Sequence, residues 1–110
     1  MSRIGTKPPL KADGTLDYAQ FTLTEICEDL TESLLDRIQN SQMNDLLPFL
    51  EALPPSKEIP EGAMAPTPLV QAMESLLRLE SEEVGFRSTA SREVLGLAVR
   101  EIRAAAYGLL

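Results

Sequence analysis

The chain of 110 residues is long enough for one small domain with a core of its own. Its apolar fraction of 44% is ordinary for a globular protein and argues against wholesale disorder. With two Tyr, three Phe and no Trp, the core must consist mainly of Leu, Ile, Val, Met and Ala, a mixture that favours helices.

The net charge of −7 is unevenly distributed along the chain. Residues 17–83 carry fourteen acidic and three basic side chains, whereas residues 1–16 and 84–110 each carry a net charge of +2. An acidic middle repels nucleic acid and anionic lipid. We therefore expect neither nucleic acid nor a membrane as a partner, and favour another protein that is basic or amphipathic.

Cysteine use and hydropathy indicate a soluble, cytoplasmic protein. Cys27 is the one cysteine, so no intrachain disulfide can form, as expected in a reducing compartment. No apolar run reaches the roughly eighteen residues of a membrane span. Residues 1–10 lack the apolar segment of a secretory signal.

The N-terminal residues 1–16 are expected to form a flexible, irregular arm, because Pro8 and Pro9 block helix formation. The pair Asp13-Gly14 is a turn signal, so a small hairpin around it is the alternative. The remaining residues, 17–110, are expected to form a single helical domain.

The first amphipathic pattern predicts a helix over about 22–40. Thr22 and Glu25 have the spacing of a capping box, in which each side chain accepts from the other residue's backbone N–H. The apolar positions that share one side are Leu23, Ile26, Cys27, Leu30, Leu34 and Ile38. The acidic positions on the opposite side are Glu25, Glu28, Asp29, Glu32 and Asp36.

A short second helix is predicted over about 45–53, capped by Asn44 or Asp45. Pro48 is compatible with its first turn, and its side chains are apolar nearly all round, which indicates burial or an adhesive surface. The proline-rich connector 54–66 then joins two helical halves, 17–53 and 67–110. Its length allows the halves to pack antiparallel or to swap into a dimer mate.

The pair Thr67-Pro68 predicts the start of a third helix over about 68–84, with the threonine as N-cap. Three acidic residues in its last turn, Glu80, Glu82 and Glu83, oppose the helix macrodipole and repel one another. Either the helix ends earlier, near Leu79, or basic groups neutralise the acids. Those groups would be Arg87 and Arg92 of the same chain or arginines of a partner, so the cluster is a candidate partner-binding site.

A last helix is predicted over about 89–107, opening at Ser88 or Thr89. Its apolar seam, with spacings of three and four, consists of Leu95, Ala98, Ile102, Ala105 and Leu109. The small members let another helix approach closely, so the seam is a candidate for helix packing or for a dimer contact. The opposite side carries further candidate partner-binding residues, Arg92, Arg100, Arg103 and Tyr107.

Catalytic chemistry is hard to find in this sequence. There is no histidine, which removes the most common general base and most zinc sites. No glycine-rich phosphate loop is present, and Cys27 is expected to be a buried structural thiol. Glu25, Glu28 and Asp29 share a helix face as in Mg²⁺-binding helices, but such spacing is common in acidic helices. We expect no catalytic residue, no cofactor and no metal.

The sequence thus predicts an all-α bundle of three or four helices. The third helix and the apolar second helix offer more apolar surface than one small bundle covers, which indicates a homodimer or a stable complex. The expected function is a non-enzymatic protein–protein interaction module: a small acidic regulator, inhibitor or chaperone-like adaptor. The alternatives are a structural subunit of a larger assembly, of phage or secretion type, and a Mg²⁺-dependent all-helical nucleotide phosphohydrolase.

Overall fold

The computed structural model describes residues 10–41, 43–81 and 88–108, and within these ranges the fold is all-α. The four helices of the described residues are α1 (Leu23–Ser41), α2 (Leu47–Ala52), α3 (Thr67–Ser81) and α4 (Thr89–Gly108). Short 3-10 turns cover Tyr18–Gln20, Asn44–Leu46 and Ser56–Glu58. The predicted fold class, a small all-α bundle, is confirmed.

One core lies between the helices and includes the irregular segments that connect them. α3 and α4 pack along each other, while α1 packs on α2, on the 3-10 turn of residues 56–58 and on α4. Fully buried large side chains come from the three long helices and from the 3-10 turn before α2: Leu23, Ile26, Leu30, Leu34, Leu46, Leu69, Leu95 and Ile102. The core is almost entirely aliphatic, as the composition predicts.

The start of α1 is held by the predicted capping box. The Thr22 N–H donates to Glu25 Oε1 at 3.0 Å, and the Glu25 N–H donates to Thr22 Oγ1 at 3.2 Å. The Leu23 N–H, also without an intrahelical acceptor, donates to the Ala63 carbonyl at 2.7 Å. The first turn of α1 is therefore fixed both by its own side chains and by the connector.

Replacing Thr22 with Ala is expected to lower the free energy of unfolding by about 0.5–2 kcal/mol, because it removes the acceptor of the Glu25 N–H. Urea unfolding measures the change. Thr24→Ala, two residues further along inside α1, is the matched control and should leave stability the same or slightly higher. Equal losses in the two variants would show that the cap contributes nothing.

Residues 10–16, expected to belong to an irregular arm, form the turn that was the alternative. Leu10 and Leu16 make an antiparallel bridge, and the Lys11 N–H donates to the Thr15 carbonyl at 2.8 Å. Gly14 has φ +88°, the left-handed conformation that glycine adopts without strain. Hydrogen bonds from the side chain and backbone of Thr15 hold the pKa of Asp13 below its ordinary value. Residues 1–9 lie outside the described part of the chain.

The connector 54–66 is packed onto the domain through side chains and backbone. Ile59 is 5% exposed and belongs to the core, and Pro54 is buried as well. Met64 bridges to Thr22, and the Ala65 N–H donates to the Phe21 carbonyl at 3.4 Å. The connector is thus part of the bundle and closes over the start of α1.

Two predicted helix starts are wrong in detail. No side-chain cap bond holds α2, which follows directly on the 3-10 turn of residues 44–46, so neither Asn44 nor Asp45 caps it. α3 begins at Thr67, one residue early, and the Pro66 carbonyl accepts from the Val70 N–H at 3.1 Å. For α2 the Asn44 carbonyl of the preceding 3-10 turn accepts from the Leu47 N–H, whereas at α3 the Pro66 carbonyl accepts the first i to i+4 bond, as at the start of any helix.

α4 opens at Ser88, one of its two predicted N-caps. The Ser91 N–H donates to Ser88 Oγ at 3.0 Å, and the hydroxyl groups of the two serines lie 2.8 Å apart. Ser91 is fully buried, and this bond satisfies its hydroxyl group.

Candidate functional site

The predicted apolar seam of α4 faces the interior of the chain. Leu95, Ala98 and Ile102 have no exposed surface, and Ala105 is half-buried at the edge of the same core. α4 packs along α3, and small residues in a seam permit such close packing. This part of the seam is therefore used within the chain. Leu109 lies outside the described residues.

The N-terminal half of the opposite side of α4 is covered by α2. Arg92 forms an ion pair with Asp45, which lies in the 3-10 turn that leads into α2. One turn later, a ring carbon of Phe49 (Cε1) lies 3.5 Å from the position that a Cβ on Gly96 would occupy. A charge pair and an aromatic ring on a small residue thus hold α2 against α4.

The C-terminal half of the same side is exposed. At about 100° per residue, Arg100, Arg103 and Tyr107 continue the side of α4 that α2 covers nearer the N-terminus. The two arginines are exposed, and Tyr107 is 51% exposed. Leu97, 37% exposed, and Ala104 border them. We call these five residues the α4 outer face.

Neither Arg100 nor Arg103 forms a salt bridge within the described ranges. The sequence predicted the same role for all four residues, whereas the structure divides them. Arg92 is paired with Asp45, and Arg100, Arg103 and Tyr107 are exposed. Asp45, Phe49, Leu97 and Ala104 were not predicted as part of a site.

The acidic cluster at the end of α3 is only partly described. The helix as described runs to Ser81, two residues beyond Leu79. Glu80 is the last residue but one of the helix as described. Glu82, Glu83 and Arg87 lie outside the described residues, and with them the predicted pairing of acids and arginines across the turn.

The carboxylates of α1 that suggested a magnesium site have protein partners. Glu25 accepts from the backbone of Thr22, and Asp29 Oδ2 accepts from the Tyr18 hydroxyl at 3.1 Å. In residues 10–41, 43–81 and 88–108, no three acidic or cysteine side chains are grouped so that they could hold a metal ion. Glu25 thus caps the start of α1, and Asp29 ties the first half of the helix to Tyr18.

Cys27 is buried against the connector. The residue is 1% exposed, and its thiol donates to the Pro54 carbonyl at 3.3 Å. Burial raises the pKa of this thiol, the hydrogen bond with Thr31 lowers it and the nearby charge of Glu28 raises it further. The thiol is therefore held protonated, and the expected structural role agrees with its position.

The raised pKa of Cys27 predicts that stability falls as the pH rises above the ordinary thiol value of 9.0. Below that pH the thiol is protonated in both the folded and the unfolded chain, so its full contribution to the stability of the fold is present. Above pH 9.0 the thiol of the unfolded chain loses its proton first. Unfolding then becomes more favourable until the pH exceeds the pKa that the thiol has in the folded chain. Unfolding measured from pH 8 to 11 should show a flatter decline in Cys27→Ala than in the unchanged protein. Parallel declines would contradict a buried, protonated thiol.

The chain matches no protein-family model, and comparisons with curated proteins and with solved structures likewise find no match. Within the described residues, none of the helices has the length and apolar character needed to cross a bilayer. On the α4 outer face, exposed arginine, tyrosine and leucine side chains lie together.

Proposed function

We propose that this protein is a non-enzymatic interaction module that binds another protein through the α4 outer face. The observation that carries the proposal is the grouping of Arg100, Arg103, Tyr107 and Leu97 on one exposed side of a helix. Tyr and Arg are the residues that most often dominate the binding energy of protein interfaces. The role would be that of a small acidic regulator, inhibitor or adaptor.

The position of the face in the fold supports binding without rearrangement. The opposite side of α4 is fixed in the core by Leu95, Ala98 and Ile102, and its N-terminus is capped by Ser88. A face on a rigid helix loses less conformational entropy on association than one on a mobile loop. A rigid helix of this kind supports binding without rearrangement.

The charge distribution supports an oriented approach. Residues 17–83 carry a strong negative charge, whereas Arg100 and Arg103 present positive charge at one exposed place. An acidic partner is repelled over most of the domain and attracted to the α4 outer face, which restricts the encounter to one orientation.

A second copy of the chain is one partner that this surface fits. Glu32 and Asp36 are exposed on α1 and could meet Arg100 and Arg103 of another molecule. A homodimer, if formed, would use such charged faces, because the described part of the apolar seam is buried inside each chain. The free thiol of Cys27 supports a reducing, cytoplasmic setting.

The proposal is tested by placing a photo-crosslinking amino acid at Leu97 or Ala104 of the full chain in its native cells. Illumination should give one discrete adduct at both positions, and Arg100→Glu should suppress it. Glu61, exposed in the connector, is the matched control position and should give none. The mass of the adduct distinguishes a second copy from another protein. No adduct at either α4 position, or equal adducts at Glu61, would contradict the proposal.

A further inference from the structure

α4 contains one short pattern twice, eight residues apart. Residues 92–96 read REVLG and residues 100–104 read REIRA, so that in each an Arg is followed four positions later by Gly or Ala. Eight residues along an α-helix correspond to a shift of about 12 Å and a rotation of about 80°. The two copies are therefore neighbouring surfaces of one helix that present the same pair of groups.

The first copy shows what such a surface binds. Its Arg92 holds the carboxylate of Asp45, and its Gly96 lets the ring of Phe49 approach. Asp45 and Phe49 are themselves four positions apart, Asp45 in the 3-10 turn and Phe49 in α2, which follows it directly. A carboxylate and an aromatic ring, one helical turn apart, thus match an arginine and a small residue with the same spacing.

The second copy presents the same chemistry to solvent. Arg100 and Ala104 are exposed, with Leu97 and Tyr107 beside them. Alanine in place of glycine does not prevent a ring from docking, because Phe49 lies 3.5 Å from the Cβ position of Gly96, an ordinary van der Waals distance. Arg100 and Ala104 could therefore receive a ligand of the same kind.

We propose that residues 100–104 bind a helical turn of another protein that carries a carboxylate and, four residues later, an aromatic side chain. The inference rests on the proposed function and specifies the partner of that face. The arginine pairs with the carboxylate, and the ring lies over Ala104 between Leu97 and Tyr107. The apolar flanks exclude water from the ion pair and so strengthen it.

The probe is a synthetic peptide with the sequence of residues 43–53, the ligand of the first copy. Its helix is held by a side-chain crosslink between positions 47 and 51, which are both exposed in α2 and so point away from α4. Residue-resolved NMR titration into the full chain should show shifts in residues 100–107. Arg100→Glu in the protein, or Asp45→Asn or Phe49→Ala in the peptide, should weaken binding about tenfold, the loss of one such contact.

Lys57→Glu makes the same charge change at an exposed connector position and should leave the affinity unchanged. The proposal is overturned if the peptide does not bind, if its shifts are confined to residues 92–96, or if Arg100→Glu and Lys57→Glu bind equally. If crosslinked adducts form at Leu97 and Ala104 but the peptide does not bind, the α4 outer face is still a binding surface, and the proposed carboxylate–aromatic ligand is wrong. Self-association of the chain through Arg100 would likewise overturn the acid–aromatic assignment.

Discussion

Replacing Leu95 with Ala is expected to lower the free energy of unfolding by about 2–5 kcal/mol, a large part of the stability of a small domain. Leu95 has no exposed surface and belongs to the core. The substitution removes buried apolar atoms and leaves a cavity that the close-packed helices cannot collapse to fill. Urea unfolding followed by circular dichroism measures the loss.

Leu97→Ala is the matched control, since it removes the same atoms from the same helix at a position 37% exposed. Its effect on stability should be clearly smaller than that of Leu95→Ala. The loss in Leu95→Ala should also be the same at low and high protein concentration, because the seam is buried within one chain. A loss that depends on concentration would instead place Leu95 in a contact between chains.

Replacing Ile59 with Ala is also expected to lower the free energy of unfolding by about 2–5 kcal/mol, although the residue lies in the proline-rich connector. Ile59 is 5% exposed and belongs to the core, next to segments that hydrogen-bond across the start of α1. The large effect is therefore a consequence of tertiary packing at a position without regular secondary structure.

Met64→Ala in the same connector is the control. Because Met64 is 53% exposed, this variant should be nearly as stable as the unchanged protein. If Ile59→Ala lowered stability as little as Met64→Ala, the connector would be a loose linker that does not contribute to the core. A strong effect of Ile59→Ala would mean that releasing the connector, as domain swapping requires, first breaks part of the core.

The long helices were predictable because their apolar residues repeat with the helical period and their ends carry local signals. α1 is the clearest example: its stripe of Leu23, Ile26, Leu30 and Leu34 is buried, and the capping box of Thr22 forms as its spacing predicts. α2 was harder, since six residues contain less than two helical turns and its start depends on the preceding 3-10 turn.

The irregular segments could not be predicted in the same way. No periodicity marks Ile59 or Pro54 as buried. The Pro54 carbonyl accepts from the Cys27 thiol in α1, and the 3-10 turn of residues 56–58 packs on the same helix. The turn around Asp13-Gly14 has a local signal, but its bridge between Leu10 and Leu16 has no alternating pattern to support it. Such segments are determined by the surface on which they fold.

The sequence could predict the types of residue in the candidate site. It could not predict which of them are exposed and which are paired within the chain. Arg92 and Arg100 are equivalent in the sequence, and only the docking of α2, with Asp45 on Arg92, distinguishes the paired arginine from the exposed one. The repeated pattern of residues 92–96 and 100–104 was visible in the sequence, but its meaning depends on knowing what the first copy binds.

The most direct test of the α4 outer face is the affinity of Arg100→Glu for the protein that crosslinks at Leu97, measured beside Lys57→Glu. Both variants should keep the melting temperature of the unchanged chain, because Arg100 and Lys57 are exposed. We predict that Arg100→Glu weakens binding at least about tenfold and that Lys57→Glu leaves it unchanged. Equal affinity of Arg100→Glu and the unchanged chain would contradict the assignment of this face as the binding surface.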